Sequence, residues 1–230
     1  METFILIVLT LSPVLAIILY IYLQDIHEPE PIRQLVISFI FGVLSMLVAT
    51  GVTYLIYKNI HFNKESFSDM AIKAFIVIAL VEEGAKFLFI RGVLYSNKNF
   101  NEPYDGIVYS VMVGMGFALT ENIIYVLNGH EGTAIVRVFT AIPAHALFAV
   151  LMGYFLGKSK LEFTNTGLNT ISAIVAAIFA HGVYDYFLFI SFVPGLWIGA
   201  IVSLIIGYII SRKAIKIHQD SSPFKVDEKE

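Results

Sequence analysis

Charged and titratable side chains in the middle of long apolar stretches constrain the fold of this chain more than any other feature. Four consecutive stretches of helix length carry seven such residues, which are Glu82, Glu83, Lys86, Glu121, His145, His181 and Asp185. A charge at the centre of a bilayer costs about 3 kcal/mol on insertion scales, so such residues face a protein interior or a water-filled cavity. Their concentration predicts one polar site with the chemistry of acid/base catalysis, metal binding or proton movement.

The composition is that of a membrane protein. Of the 230 residues, 57% are hydrophobic and 14% are charged, and the mean hydropathy of +0.78 is too high for a soluble globule of this length. The absence of cysteine excludes disulfides and thiolate metal sites, and leaves His, Glu and Asp as possible metal ligands. The net charge of −3 gives no reason to expect a nucleic-acid partner.

Apolar runs long enough to cross a bilayer predict an all-α, polytopic membrane helix bundle with about seven transmembrane helices. The runs cover about residues 3–23, 34–57, 70–92, 104–127, 134–157, 168–190 and 192–211. The connections between them are short, so we predict a single transmembrane domain over residues 1–212 and a polar cytoplasmic tail over residues 213–230. The polar side chains outside the runs are expected to be solvated, among them Asp25, Glu28, Glu30 and His218.

Small residues recur every four positions in three of the spans and predict which helix faces pack together. The stripes are Gly106, Ser110, Gly114 and Ala118, leading to Glu121; Ala141, His145, Ala149, Gly153 and Gly157; and Ala173, Ala177, His181 and Asp185. Small side chains let helix backbones approach closely, so the stripes predict that these titratable residues face protein. His181 and Asp185 lie one turn apart on the same face.

The third span carries two adjacent glutamates and a lysine. Glu82 and Lys86 stand at i,i+4 in the order that favours an ion pair, whereas Glu83 lies about 100° away around the helix. We therefore expect one glutamate to hold Lys86 and the other to act as a general base. The spacing favours Glu82 as the partner of Lys86 but leaves open which glutamate is the base.

These residues form four motifs that resemble those of the PrsW family of glutamic-type intramembrane proteases. The motifs are Glu82-Glu83-x-x-Lys86, Phe117-x-x-x-Glu121-Asn122, His145 in a Pro-Ala-His context, and His181-Gly182-x-x-Asp185. Their order and spacing match the family over nearly the whole chain except the tail. A more distant similarity is to the CAAX-processing and bacteriocin-immunity membrane proteases, which have a histidine where Glu121 stands here.

The resemblance implies a multi-pass protease of the cell membrane. Its expected activity is site-1 cleavage of a single-span membrane protein, an anti-sigma factor, on the outer side. A second intramembrane protease then acts and an extracytoplasmic-function sigma factor is released. The expected partners are therefore that substrate and the lipid bilayer.

Peptide hydrolysis needs a water nucleophile, a base, donors for the oxyanion and an acid for the leaving amine. We expect Glu83 or Glu82 to activate water, His181 oriented by Asp185 to assist, and His145 with Asn122 to stabilise the oxyanion. The candidate catalytic residues are Glu82, Glu83, Glu121, His145, His181 and Asp185, with Lys86 and Asn122 in support.

The residues are also compatible with two alternatives to a metal-free protease. No cofactor is predicted, but zinc is the alternative, held by His145, His181, Glu121 and Asp185 with a remaining glutamate as base. The second alternative is a proton-coupled transporter or channel that uses the Glu, His and Asp cluster as a relay. The absence of an obvious inverted repeat weighs against it.

The distribution of basic residues predicts that the N-terminus lies outside and the C-terminus in the cytoplasm. In that orientation the inner segments hold Arg33, Arg91, Lys98, Lys158, Lys160, Arg212, Lys213, Lys216, Lys225 and Lys229. The outer flanks hold only Lys58, Lys64, Lys73 and Arg137. Reporter fusions after Asn128 and after Ser159 measure the orientation, and we expect outer-compartment activity after Asn128 and cytoplasmic activity after Ser159. The reverse pattern would contradict it.

Overall fold

All regular secondary structure in the described part of the chain is helical. The computed structural model describes residues 2–129, 131–161 and 165–225, apart from the side chains at positions 2, 3, 131 and 134. Lys229 and the end of the predicted tail lie outside the described residues. The helices are α1 (Glu2–Leu23), α2 (Ile32–Asn59), α3 (Phe67–Ile72), α4 (Leu80–Gly92), α5 (Pro103–Leu127), α6 (Glu131–Phe139), α7 (Ala141–Leu161), α8 (Thr166–Phe189) and α9 (Ile198–Asp220).

Six of the described helices are long and apolar enough to cross a membrane, namely α1, α2, α5, α7, α8 and α9. The remaining predicted span, 70–92, corresponds to α3 and α4 joined without a break by a π-helical segment, Lys73–Ala79. At one end of this composite helix Phe67 packs against Phe192 beyond α8, with ring centroids 4.9 Å apart. Near the other end Ile90 shares a buried cluster with Tyr109 of α5. The prediction of about seven spans therefore agrees with the fold.

Helix α5 is the centre of the bundle and is buried along most of its length. Its closest neighbour is α7, because glycines face each other where the two helices cross. A Cβ atom on Gly153 would lie 2.3 Å from the carbonyl oxygen of Gly106, a distance that only glycine tolerates. The predicted small-residue stripes thus mark real packing faces, and this crossing sets how the polar residues of α5 and α7 meet.

The helices alternate between two ends of the bundle. At one end, which we call the α1–α2 end, Tyr104 at the start of α5 donates to the carbonyl oxygen of Ile21 at 3.0 Å. Gln219 near the end of α9 donates to the carbonyl oxygen of Gln24 at 2.6 Å. The C-terminal ends of α5 and α8 lie at the opposite end.

The expectation that Asp25, Glu30 and His218 are solvated is wrong. Their exposed fractions are 3%, 2% and 1%. The α1–α2 connection folds against the start of α5, and α9 continues to Asp220, where His218 stacks on Tyr154 at 4.5 Å between ring centroids. Burial in this connection raises the pKa of both Asp25 and Glu30 to about 7.

Candidate active site

Five helices, α4 to α8, direct polar side chains into one cavity of about 110 Å³ at the end of the bundle opposite the α1–α2 end. Its titratable lining residues are Glu82, Tyr125, Glu121, Arg137, His145, His181, Tyr184 and Asp185. Glu121 lies six residues before the end of α5, and Asp185 lies four before the end of α8. At 1.5 Å per residue these side chains are about 6–9 Å from the helix ends. The cavity is therefore closer to one membrane face than to the other.

The small-residue faces explain how α5, α7 and α8 reach the cavity together. Gly114 of α5 faces Ala149 of α7, where an added Cβ would lie 3.0 Å from the Ala149 side chain. Each of these positions is one or two turns from a titratable residue of its own helix. Gly182 of α8 lies under the ring of Phe75, which belongs to the π-helical segment just before the glutamate pair. π-Helical segments within α-helices occur frequently near functional sites.

Lys86 is paired with Glu83, and the expectation of a Glu82–Lys86 pair is wrong. The Lys86 Nζ atom lies 2.7 Å from Glu83 Oε1, and both side chains are almost completely buried. The same ammonium donates to His145 Nδ1 at 3.1 Å and lies 3.9 Å from the centre of the Phe117 ring. The i,i+3 partner prevails because the Glu83 face of α4 points to α7 and α8, where His145 and His181 lie.

A chain of polar contacts continues from Lys86 across the cavity. Since an ammonium can only donate, its contact with His145 Nδ1 leaves the proton of this imidazole on Nε2. His145 Nε2 lies 3.0 Å from Glu121 Oε2 and donates to it. Glu121 also forms an ion pair with Arg137 of α6. His145 is thereby held in one tautomer, as expected of a residue that presents an N–H in a defined direction.

His181 is surrounded by carboxylates. Its Nδ1 atom lies 2.9 Å from Glu83 Oε1, and its Nε2 atom lies 3.4 Å from Asp185 Oδ2. Carboxylate oxygens accept hydrogen bonds, so this arrangement suits a protonated imidazole with two donors. Phe148 stacks on the ring with 4.7 Å between centroids and 17° between planes, which fixes its orientation.

Glu82 and Glu83 each have a buried oxygen without a hydrogen-bond partner among the described residues, and of the two only Glu82 lines the cavity. The Oε2 atom of Glu82 is buried and accepts no hydrogen bond within the described residues, and the nearest imidazole nitrogen, His181 Nε2, is 4.0 Å away. A carboxylate that faces a polar cavity without a protein donor is placed to bind water or a cation.

Arg137 is part of the site, although the sequence reasoning counted it only among the outer basic residues. Its side chain lines the cavity and pairs with Glu121. The sequence did contain a feature that could have identified it, because Arg137 is one of few basic residues near the outer ends of the spans. Asn122 differs from the expectation: its amide donates to the Ala118 carbonyl at 2.8 Å and its Oδ1 accepts from Arg137, so its donors do not reach the cavity.

The donor set fits a divalent metal ion if His145 and His181 each give up one of their polar contacts and offer that nitrogen, unprotonated, as a ligand. Glu82, His145 and His181 are buried, and each offers a ligand atom within 4.8 Å of the other two. Two imidazoles and a carboxylate are a common zinc ligand set. Glu121 and Asp185, which the zinc alternative also included, lie outside this group of three and contact the imidazoles instead. The unpaired Glu82 oxygen is the feature that a cation would satisfy.

A wider groove of about 660 Å³ connects the cavity to the lipid-facing surface. Glu82, Glu121 and Tyr125 line both spaces, which therefore meet at the glutamates. The outer wall of the groove is the end of α2, with Met46, Ala49, Thr50, Thr53, Tyr54 and Tyr57. The polar site therefore adjoins an open groove along α2.

Comparison with known proteins decides the family. A family model described as "PrsW family intramembrane metalloprotease" matches residues 30–211. The chain belongs to the PrsW family of intramembrane proteases. Every PrsW motif residue in the cavity falls inside the matched range, and a protease rather than a transporter or channel is what the family favours.

Several proteins named "Protease PrsW" are similar to this chain over most of their length. The protein of Geobacillus kaustophilus is 36% identical over 177 residues, which are 77% of this chain and 76% of the relative. That of Clostridioides difficile is 34% identical over 208 residues, or 88% and 84%. That of Bacillus subtilis is 32% identical over 180 residues, or 77% and 80%. No solved structure matches the chain significantly.

The Glu83–Lys86 contact generates a prediction about stability. Glu83→Gln leaves the buried Lys86 ammonium without its carboxylate, and breaking a buried ion pair costs about 3–5 kcal/mol. Adding Lys86→Met removes the uncompensated charge and should restore part of the loss. Thermal unfolding of the purified variants in detergent measures both effects.

Glu82→Gln is the matched control, since the substitution is the same and the residue is the next one in the helix. We expect it to unfold close to the wild-type temperature. A larger loss for Glu82→Gln than for Glu83→Gln, relieved by Lys86→Met, would show that Lys86 pairs with Glu82.

Proposed function

We propose that this intramembrane protease is an endopeptidase that cuts a single-span membrane protein near the outer face of the membrane, with Glu82 activating the water. The observation that carries the proposal is the unpartnered Glu82 oxygen in a polar cavity that opens to the bilayer through the α2 groove. Neither a structural ion pair nor lipid packing accounts for that arrangement.

The chemistry follows from the contacts of each residue. Glu82 takes a proton from water as the oxygen attacks the peptide carbonyl. Arg137 lines the same cavity and stabilises the oxyanion with an N–H group that Glu121 and Asn122 do not use, in place of the expected pair of His145 and Asn122. His145 donates its Nε2–H to Glu121 and so positions the carboxylate that holds Arg137. His181, held by Asp185 and Glu83, gives a proton to the leaving amine. Glu83 and Lys86 are positioning residues, because they touch the imidazoles and not the cavity.

Glu82, His145 and His181 would hold a divalent metal such as zinc. When bound, it supplies Lewis-acid activation of water or of the peptide carbonyl. Glu82 would then be a ligand, and Glu83 on His181 Nδ1 would orient the ring while Nε2, the nitrogen nearer Glu82, faced the ion. A metal-free site based on glutamate and a zinc site thus use the same residues and differ in their response to chelators.

We propose that the N-terminus is outside and that the α1–α2 end faces the cytoplasm. Lys160, Arg91 and most other basic residues lie toward that end, as the positive-inside rule requires. The cavity then lies about 6–9 Å from the outer ends of α5 and α8. This position suits a cut at the outer boundary of a substrate span, as in site-1 cleavage.

An anti-sigma factor is the substrate that the family resemblance suggests, with sigma-factor activation as the result.

Cleavage of a tagged single-span substrate tests the proposal. We expect Glu82→Gln and His181→Ala to lower the cleavage rate by roughly 10²-fold or more at normal protein abundance, because each removes a proton-transfer group. Glu65→Gln, at an exposed position before α3, is the matched control and should cleave at the wild-type rate. Unchanged cleavage by Glu82→Gln would remove Glu82 from the mechanism.

The same assay separates the two forms of the site. Cleavage that survives extensive chelation indicates the metal-free glutamate mechanism. Cleavage that is lost and returns with added zinc indicates the metal site.

The groove gives a prediction about substrate access. Thr53→Trp places a large side chain in the α2 wall, and because it narrows the groove we expect cleavage to be slower by roughly 10-fold or more, equivalent to about 1.4 kcal/mol in the barrier. Val52→Trp is the matched control, because Val52 is the next residue, does not line the groove and is 41% exposed on the helix surface. Equal cleavage by the two tryptophan variants would exclude entry beside α2.

A further inference from the structure

A second buried acidic cluster lies at the α1–α2 end, far along α5 from the candidate active site. Its members are Asp25 and Glu30 of the α1–α2 connection, and Glu102 and Asp105 at the start of α5. Their exposed fractions are 3%, 2%, 1% and 0%. Four carboxyl groups shielded this completely need donors, protons or a cation in compensation.

One oxygen of each carboxyl group has a protein donor. Asp25 Oδ2 accepts from the Glu30 backbone N–H at 2.9 Å. Asp105 Oδ2 accepts from the backbone N–H groups of Asn101 at 2.7 Å and Glu102 at 2.8 Å. The Tyr109 hydroxyl donates to Glu30, and the Ser222 hydroxyl donates to Glu102.

Other oxygens of the same groups have no donor. Asp25 Oδ1, Glu30 Oε1 and Asp105 Oδ1 are buried and accept no hydrogen bond within the described residues. Such orphaned acceptors destabilise the fold unless a proton shared with a neighbouring carboxyl group or a bound ion compensates them. Asp25, Glu102 and Asp105 also each offer an oxygen within 4.8 Å of the other two, a spacing that fits one shared ion.

The lysine close to the cluster is engaged elsewhere. Lys160 acts electrostatically on Asp105 and Glu30. Its Nζ atom, however, donates to the Asn97 carbonyl at 2.9 Å and lies 4.3 Å from the centre of the Phe100 ring. These contacts hold the ammonium beside the cluster, so that it donates no hydrogen bond to the orphaned oxygens.

We propose that Asp25, Glu102 and Asp105 bind a hard divalent cation, Mg²⁺ or Ca²⁺, as a structural site separate from the active site. Oxygen donors alone select hard cations and not zinc or copper. The ion would join the α1–α2 connection to the start of α5. Through Ser222 on Glu102 it would also fix the segment after α9.

Thermal unfolding of the full-length protein in detergent, stripped of metal at pH 7.5, tests the site. The background is the His181→Ala variant, so that the active-site histidine cannot respond. We expect added Mg²⁺ or Ca²⁺ at millimolar concentration to raise the melting temperature by about 2–4 °C or more. The two titrations together show which ion binds more tightly.

Asp25→Asn and Asp105→Asn should lose this response while remaining at least as stable as the parent without cation, because each removes a buried negative charge. Asp220→Asn, at an exposed carboxylate on the same end of the bundle, should keep the full response. If a variant fails to fold, isothermal titration of the parent with Ca²⁺ still decides, and about one ion per chain is expected. No cation response of the parent, or a full response of Asp25→Asn, would overturn the proposal.

Discussion

The cost of placing charge in hydrocarbon is the constraint on which the rest of this structure depends. A charge is tolerated at membrane depth only when partners or water compensate it. The bundle meets this condition with one connected network, in which Glu83 holds Lys86 and His181, Lys86 holds His145, and Glu121 links His145 to Arg137. Because each group depends on the next, five helical elements must dock together for any one of these charges to be buried.

Close packing along α5 makes the network possible. Glycines at the α5–α7 crossing bring the two backbones into direct contact. The same helix carries Glu121 near one end and Asp105 in its first turn. One buried helix therefore organises a reactive cavity at one membrane face and an acidic cluster at the other. The proposed cleavage near one surface would use this asymmetry, since water and substrate would have to reach only the end that holds the cavity.

Much of the site was predictable because hydrocarbon makes polar residues conspicuous. The stripes of small residues and the cost of exposure together predicted that Glu121, His145 and His181 face inward, and the structure brings them together. The partner of Lys86 was not predictable in this way. Residues at i+3 and i+4 are both within reach on an isolated helix, and only the position of the neighbouring helices selects Glu83. Arg137 was missed because it lies near the outer end of the predicted span 134–157, where a basic residue is expected to face water, whereas the structure places it on the separate helix α6.

The burial of the α1–α2 connection was also not predictable from the sequence. Its polar residues and prolines are typical of a solvated loop, and nothing local indicates that Asp25 and Glu30 are covered by α5. The sequence alone determined the class of fold, the approximate spans, the family and the set of titratable residues, because these follow from hydropathy, periodicity and motif spacing. Only the tertiary structure decided which carboxylate is paired, which faces the cavity and which end is sealed. Those properties depend on distances between residues far apart in the chain, and no local pattern encodes such distances.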